Sequence, residues 1–239
     1  MSFLPNLFHG KTVVVIGGTS GIGAAAALAF AKLGGTVHVA GLNATGPLVP
    51  TAPGITSHEL DVRDTTALAD FLQPLSRIDV LVNCAGISRD RDEWTPEGFA
   101  SVMAINFFPV MEASRLAQPK MGEGASIINI ASMYSTFGAA DRPAYASSKG
   151  AIVQLTKSLA QEYAPKVRVN AVAPGWIVTP LSQGLFADAD ASGPILARIP
   201  FARWGKAAEI ADAIVYLASP AAGYVTGIVL PVDGGYLTV

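Results

Sequence analysis

The chain has 239 residues, of which 51% are hydrophobic and 14% are charged, and its formal net charge is −2. This composition provides enough apolar material for a sizeable core, and the absence of a basic run argues against nucleic-acid binding. A single cysteine, scattered histidines and the lack of a long apolar run argue against disulfides, a metal site and a membrane segment. The sequence therefore predicts a soluble protein of the cytoplasm.

The first predicted elements are a strand, a glycine-rich turn and a helix. Residues 12–16 form a β-branched run that is typical of a buried strand, and the alanine-rich stretch after Gly23 favours a helix. Glycines at positions 17, 21 and 23 allow a tight turn and a close approach of the backbone to a pyrophosphate. The N–H groups at the helix N-terminus favour the same anion. The turn lies between strand and helix, and this position predicts a dinucleotide site although the Gly-x-x-x-Gly-x-Gly spacing is not the commoner one.

Strands and helices alternate along the rest of the chain. Further strands are predicted at 36–40, 57–62, 79–82, 126–130, 167–172 and 227–231. Further helices are predicted at 65–72, at 96–121 with a kink at Pro109, at about 145–163 and at 207–217. Three prolines between Gly41 and Ile55 predict a loop in place of a crossover helix. The pattern indicates an α/β fold: one doubly wound Rossmann domain over residues 1–239, with a seven-stranded, mostly parallel sheet and helices on both faces.

Polar residues at the carboxyl ends of the predicted strands mark the ligand edge of this sheet. These residues are Asp61, Asn83 and Ser132, and Pro174 ends a strand at the same edge. Tyr145 and Lys149 lie four residues apart and project from one face of a helix. A phenol has a pKa of about 10, and a nearby ammonium lowers that pKa toward the range of a useful acid or base. Tyr-x-x-x-Lys also fits an ordinary helix with a solvated lysine, so the other motifs decide its interpretation.

Several motifs, taken in order, resemble the short-chain dehydrogenase/reductase family from about Gly10 to Gly235. The matching motifs are the glycine turn at 17–23, Asp61-Val62, Asn83-Cys84-Ala85-Gly86, Pro174-Gly175 with Thr179-Pro180, and Val232-Asp233-Gly234-Gly235. Asn106, Ser132, Tyr145 and Lys149 match the family's four catalytic positions. The resemblance implies a hydride transfer between a nicotinamide dinucleotide and an alcohol or ketone.

The resemblance also implies a role for each catalytic position. Tyr145 is the general acid in reduction and the base in oxidation, and Ser132 donates a hydrogen bond to the substrate oxygen. Lys149 holds the nicotinamide ribose and lowers the pKa of Tyr145, and Asn106 supports a water that carries protons onward. Taken alone, Ser132 also fits a strand-end cap and Asn106 a polar residue that bends a helix.

Cofactor and substrate contacts follow from the same motifs. The predicted cofactor-binding residues are Gly17, Thr19, Ser20, Gly21, Ile22, Gly23, Leu42, Asn43, Asp61, Val62, Asn83, Ala85, Gly86, Tyr145, Lys149, Pro174, Gly175, Ile177 and Thr179. The predicted substrate-binding residues are Ser132, Met133, Tyr145, Trp176 and Phe186, with Arg142 near the pocket mouth. Residues 181–204 mix apolar, acidic and small side chains, which is typical of a lid that closes over a substrate.

The chain departs from the family pattern at two places. Cys84 replaces an asparagine, and we expect an inert, buried thiol because no basic residue adjoins it. Gly41-Leu42-Asn43 offers neither the acid that selects NAD nor the arginine that selects NADP. Because no positive charge is visible for a 2′-phosphate, NAD(H) is favoured over NADP(H).

The sequence thus predicts a cytoplasmic NAD(P)-dependent oxidoreductase for a small or medium alcohol or ketone. The family resemblance and the apolar C-terminus predict a homotetramer, since an apolar terminus on a free surface is a liability. The alternative is a non-catalytic dinucleotide-binding protein of the same fold. The filled catalytic positions favour the enzyme, and neither the substrate nor the physiological direction of the reaction follows from the sequence.

Overall fold

A seven-stranded sheet forms the centre of the protein, for which a computed structural model describes residues 3–239. The predicted domain range therefore includes two residues, Met1 and Ser2, that lie outside the described part. In chain order, the strands of this sheet are β1 (Thr12–Ile16), β2 (Thr36–Gly41), β3 (Ile55–Glu59), β4 (Val80–Asn83), β5 (Ala125–Ile130), β6 (Val167–Pro174) and β9 (Val229–Val232). Their spatial order is β3-β2-β1-β4-β5-β6-β9, and every neighbouring pair is parallel. The predicted doubly wound fold is confirmed.

Helices cover both faces of the sheet. They are α1 (Gly21–Lys32), α2 (Thr65–Leu72), α3 (Pro96–Asn106), α4 (Phe108–Ala117), α5 (Pro143–Tyr163), α6 (Gln183–Ala187), α7 (Ala189–Ala197) and α8 (Ala207–Ala218). Helices α1 and α8 pack with Val13 and Val15 of β1, whereas α2, α4 and α5 pack with Val14 and Ile16 of the same strand. Because successive strand residues face opposite sides, the continuous apolar run of β1 supplies both cores.

Two predicted elements differ clearly from the structure. Strand β3 begins at Ile55 and ends at Glu59, so Asp61 lies beyond the strand. The long helix predicted over 96–121 is two helices, α3 and α4, separated at Phe107. A proline ring clashes with the carbonyl four residues earlier in a continuous helix, so the break precedes Pro109, which then lies in the first turn of α4. The 42–54 stretch contains no helix, as its prolines predict.

Residues 177–206 contain a second sheet of two short strands. Strands β7 (Ile177–Val178) and β8 (Gly205–Lys206) form a short parallel pair, and α6 and α7 lie between them. This segment includes the predicted lid at 181–204, and its closure over a substrate stays a prediction.

No helix within residues 3–239 is both long and apolar enough to cross a bilayer.

Candidate active site

The glycine turn brings α1 close to the ends of two strands. Gly17 has a φ of +78°, and a Cβ there would lie 2.3 Å from the Ala85 backbone nitrogen. A Cβ on Gly23 would lie 2.2 Å from the Gly17 carbonyl oxygen. Larger residues at these two positions would therefore force the turn apart.

The N-terminus of α1 is open to an anion. Its N-cap residue, Ser20, makes no side-chain cap, and the first turn carries no acidic residue. The N–H groups and the positive end of the helix dipole are thus available beside a glycine backbone. These features fit the pyrophosphate of a dinucleotide.

A cleft of about 400 Å³ runs along the carboxyl ends of the strands. Most of the predicted cofactor residues line it: Gly17, Thr19, Ser20, Gly21, Ile22, Leu42, Asn43, Asp61, Val62, Ala85, Gly86, Tyr145, Lys149, Pro174, Gly175, Ile177 and Thr179. Gly23 and Asn83 do not line it. Gly23 contributes to the site indirectly, by allowing the tight glycine turn. The Asn83 Nδ2 donates to Asn129 Oδ1 at 2.9 Å, and this hydrogen bond links β4 to β5 inside the sheet.

The four predicted catalytic residues come from three neighbouring segments. Ser132 follows β5, Tyr145 and Lys149 lie in α5, and Asn106 ends α3. Of these, Ser132, Tyr145 and Lys149 line the cleft, whereas Asn106 is buried behind Gly86. A Cβ on Gly86 would lie 3.5 Å from Asn106 Oδ1 and 3.7 Å from Lys149 Nζ, so both side chains lie beside this glycine.

Asn106 holds the loop that follows β4. Its Oδ1 accepts from the Ile87 N–H at 2.9 Å, and its Nδ2 donates to the Ile87 carbonyl at 2.9 Å. Its Nδ2 also donates to Ser148 Oγ at 3.2 Å, and that hydroxyl donates to the Tyr145 carbonyl at 2.7 Å. The side chain therefore joins the cleft loop to the helix that carries Tyr145.

Lys149 is buried with its ammonium beside Tyr145. Its Nζ donates to the Ile130 carbonyl at 2.7 Å and lies 5.6 Å from the centroid of the Tyr145 ring. Burial lowers the pKa of Lys149 to about 8. One of its N–H groups is used by Ile130, and the remaining two are available to a ligand in the cleft.

The sequence predicts a lowered pKa for Tyr145, and this prediction is wrong because the pKa is raised in the structure. Desolvation by the surrounding protein raises the pKa above its ordinary value, and this effect outweighs a hydrogen bond with Ser132 and the nearby charge of Arg142, which both lower it. Desolvation also raises the pKa of the Cys84 thiol to about 11, which agrees with the inert thiol expected from the sequence, although Cys84 is half-buried and lines the cleft.

Met133 and Trp176 line the substrate end of the cleft, but Phe186 does not. The Phe186 ring packs instead against Trp204 at a centroid distance of 5.7 Å, and Leu185 lines the cleft in its place. The indole N–H of Trp176 is buried and has no partner among the described residues.

Arg142 also lines this end of the cleft, as the sequence suggested. Its guanidinium pairs with Asp141 at 2.7 Å and with Asp90 at 3.1 Å, and it lies over the Tyr134 ring. A cation and an aromatic ring thus meet at the mouth of the cleft.

Two charged residues of the site were missed by the sequence analysis. Arg63 lines the adenosine end of the cleft, and its Nε donates to Asp61 Oδ1 at 3.0 Å. Its position two residues after Asp61, a predicted cofactor residue, is the sequence signal that could have identified it. Glu93 is fully buried and accepts a hydrogen bond from the Tyr145 backbone N–H at 2.8 Å. No local pattern connects it with Tyr145.

Comparisons with known proteins agree with this geometry. A family model described as enoyl-(acyl carrier protein) reductase matches residues 17–237. The chain is 41% identical to 2-dehydro-3-deoxy-D-gluconate 5-dehydrogenase of Bacillus subtilis over the full length of both chains, at 100% coverage each. It is 36% identical to 3-oxoacyl-[acyl-carrier-protein] reductase of Thermotoga maritima, over 95% of this chain and 98% of the relative.

A solved structure is similar over nearly the whole chain. It is that of a putative NAD(P)-dependent gluconate 5-dehydrogenase from Beutenbergia cavernae with NADP bound at low occupancy, and the TM-score is 0.88. The sequences are 36% identical, and the match covers 99% of this chain and 100% of the other.

Proposed function

This chain belongs to the short-chain dehydrogenase/reductase family and is an NAD(P)-dependent oxidoreductase of alcohols and ketones, and we propose that Tyr145 exchanges the substrate proton. The observation that carries this role is the placement of Ser132, Tyr145 and Lys149 on one cleft beside an open helix N-terminus. The nicotinamide supplies or accepts the hydride, and the protein orients the reacting groups.

Each side chain then has one task. In reduction, the Tyr145 hydroxyl gives a proton to the carbonyl oxygen while the Ser132 hydroxyl donates a hydrogen bond to the same oxygen. In oxidation, Tyr145 takes that proton. Lys149 uses its two remaining N–H groups to hold ribose hydroxyls, and Asn106 keeps the Ile87 backbone in place beside them.

We propose that both dinucleotides bind and that NAD(H) is modestly preferred. Near the end of β2, the Glu59 carboxylate accepts from the Asn43 and Ala44 N–H groups at 3.0 and 2.7 Å. Asp61 adds a second carboxylate, which is paired with Arg63. A 2′-phosphate bound near Asn43 would have these two acids in its vicinity, and the nearby Arg63 is already paired, so it would gain little attraction. The NADP bound by the Beutenbergia relative is the reason to test both cofactors.

We propose a polyhydroxylated ketone or alcohol, a sugar or sugar acid, as the substrate. The names of the Bacillus and Beutenbergia relatives describe dehydrogenases of such compounds. The substrate end of this cleft carries the Arg142 guanidinium, a donor that suits oxygen-rich ligands, next to Met133 and Leu185. Residues 181–204 are proposed to close over this end.

The experiment that tests this function is a panel of neutral polyols, aldoses, sugar acids and simple ketones, each assayed with both cofactors in both directions. We expect turnover with at least one polyhydroxylated compound and a kcat/KM ratio that favours NAD by less than about tenfold. Arg63→Ala should reduce kcat/KM with NADP more than with NAD. Dinucleotide binding without turnover on any substrate would favour the non-catalytic alternative. A hundredfold preference for NADP would contradict the cofactor proposal.

We also propose that the enzyme is a homotetramer in the cytoplasm, where its dinucleotide cofactor is available. Large apolar side chains are exposed on α3 and α4, among them Phe99, Phe108 and Met111, and Val239 ends the chain in an exposed position. Such surfaces favour association. Light scattering at micromolar concentration is expected to give the mass of four chains, and a monodisperse monomer would contradict the proposal.

A further inference from the structure

The N-terminus of helix α5 has no side-chain cap from its own N-cap residue, although the first turn of this helix carries Tyr145. Its N-cap residue is Arg142, whose side chain does not cap the helix, and the first turn contains no acidic residue. Tyr145 is the third residue of this helix, so its N–H belongs to the first turn and has no partner within the helix.

The missing acceptor comes from a residue 52 positions earlier in the chain. The Glu93 Oε2 accepts from the Tyr145 N–H at 2.8 Å. The Glu93 Oε1 accepts from the Arg89 N–H at 2.8 Å and from the Ser88 hydroxyl at 3.2 Å. Glu93 is 0% exposed, and among residues 3–239 no lysine, arginine or histidine forms a salt bridge with it. A buried carboxylate is costly unless it is fully hydrogen-bonded, so this arrangement has a structural or functional reason.

We propose that Glu93 is a positioning residue for the proton transfer assigned here to Tyr145: its carboxylate caps α5 from outside, fixes the Tyr145 backbone and joins it to the loop after β4. This inference rests on the proposed role of Tyr145. A carboxylate at a helix N-terminus is favoured by the helix dipole. Because Ser88 lines the cleft, the same side chain sets the distance between that loop and Tyr145.

Two neighbouring contacts support a continuous connection between the segments. The Trp94 indole N–H donates to the Ala140 carbonyl at 2.9 Å, and Arg142 pairs with Asp90 at 3.1 Å. Residues 88–94 therefore contact residues 140–145 at three points. Glu93 makes the only one of these three contacts that reaches Tyr145 directly.

The charge of Glu93 has a further consequence. The groups that face Tyr145 are Ser132, Tyr134, Arg142, Cys84, Lys149 and Glu93. Glu93 is among the groups that raise the pKa of Tyr145, because a negative charge nearby disfavours the phenolate. Removing that charge lowers the pKa, so Tyr145 becomes a base at lower pH.

Glu93→Gln and Glu93→Asp separate position from charge. The amide of Glu93→Gln offers one acceptor oxygen, so either the Tyr145 or the Arg89 N–H loses its partner. We expect kcat to fall by about 10- to 100-fold, as for a slight misplacement of a reacting group. The acid limb of kcat/KM for alcohol oxidation should move to lower pH. Glu93→Asp keeps the charge on a shorter side chain, so kcat should fall and the limb should stay in place.

The matched control is Glu97→Gln, which removes an exposed carboxylate from the first turn of α3 and should leave kcat and the pH profile unchanged. If Glu93→Gln lowers only the thermal unfolding midpoint and leaves kcat and the limb unchanged, Glu93 is merely structural and the proposal is overturned. If that variant does not fold, the Glu93→Asp result decides, because an unchanged kcat there also overturns the proposal.

The rate of hydrogen exchange at the Tyr145 amide measures the hydrogen bond between that amide and Glu93 independently of catalysis. We expect slow exchange in the unmodified protein and faster exchange in Glu93→Gln, and rapid exchange in the unmodified protein would overturn the contact. If Tyr145→Phe keeps its turnover, the proposed function of Tyr145 fails, whereas the exchange data still report whether Glu93 holds this part of α5.

Discussion

Tyr145→Phe is expected to lower kcat by about 10²- to 10⁴-fold, the range associated with the loss of general acid–base catalysis. The substitution removes only the hydroxyl, so the ring can keep its edge contact with Tyr134 at 6.2 Å and its place beside Lys149. The backbone contact with Glu93 is also kept, since it involves the N–H and not the side chain. Cofactor affinity and the unfolding midpoint should therefore change little. Steady-state kinetics, dinucleotide titration and thermal unfolding measure these three quantities.

Tyr134→Phe is the matched control for this result. Tyr134 lines the same cleft, and burial raises its pKa to about 12, as burial also raises that of Tyr145, but the side-chain hydrogen bond with Ser132 and the adjacent Lys149 ammonium belong to Tyr145. We expect this variant to lose less than about tenfold in kcat, since no proton transfer is removed. Near-normal turnover in Tyr145→Phe, or an equal loss in both variants, would contradict the assignment of Tyr145.

The parts of the fold that were predictable are those set by local sequence pattern. Residues 13–16 are apolar without interruption because β1 is covered on both faces. The glycines of the turn are needed where a Cβ would strike the backbone, as at Gly17 and Gly23. Parallel strands place their carboxyl ends at one edge, so the position of Ser132 beside the turn followed from the element order.

The parts that were not predictable depend on which groups meet in space. Leu185 and Phe186 are adjacent apolar residues, and composition does not indicate that only Leu185 lines the cleft. Glu93 caps a helix that begins far along the chain. The pKa of Tyr145 was argued from the charge of Lys149 alone, whereas its direction is set by desolvation, which requires knowledge of the surrounding protein.

Lys149→Ala is expected to weaken dinucleotide binding and to lower turnover, by at least about tenfold each, because the ammonium that would hold the ribose beside Tyr145 is lost. Lys149→Met should give the same losses while it fills more of the space of the buried side chain, which separates the missing ammonium from a cavity. Lys157→Met is the matched control, since Lys157 lies two turns further along α5 and is exposed. Unchanged affinity and turnover in both Lys149 variants would leave Lys149 without a catalytic role.

The pH dependence of binding gives a sharper test of the same residue. Because burial lowers the pKa of Lys149 to about 8, its ammonium is present below that pH and is lost as the pH rises through it. Cys84, with a pKa of about 11, and Tyr145, whose pKa is raised above its ordinary value, keep their protons across this range. Dinucleotide affinity of the unmodified enzyme should therefore weaken as the pH rises from 7 to 9, whereas Lys149→Met should bind weakly and equally at both. Isothermal titration calorimetry at pH 7 and pH 9 measures this dinucleotide affinity. If the affinity of the unmodified enzyme is the same at both pH values, the Lys149 charge does not hold the cofactor.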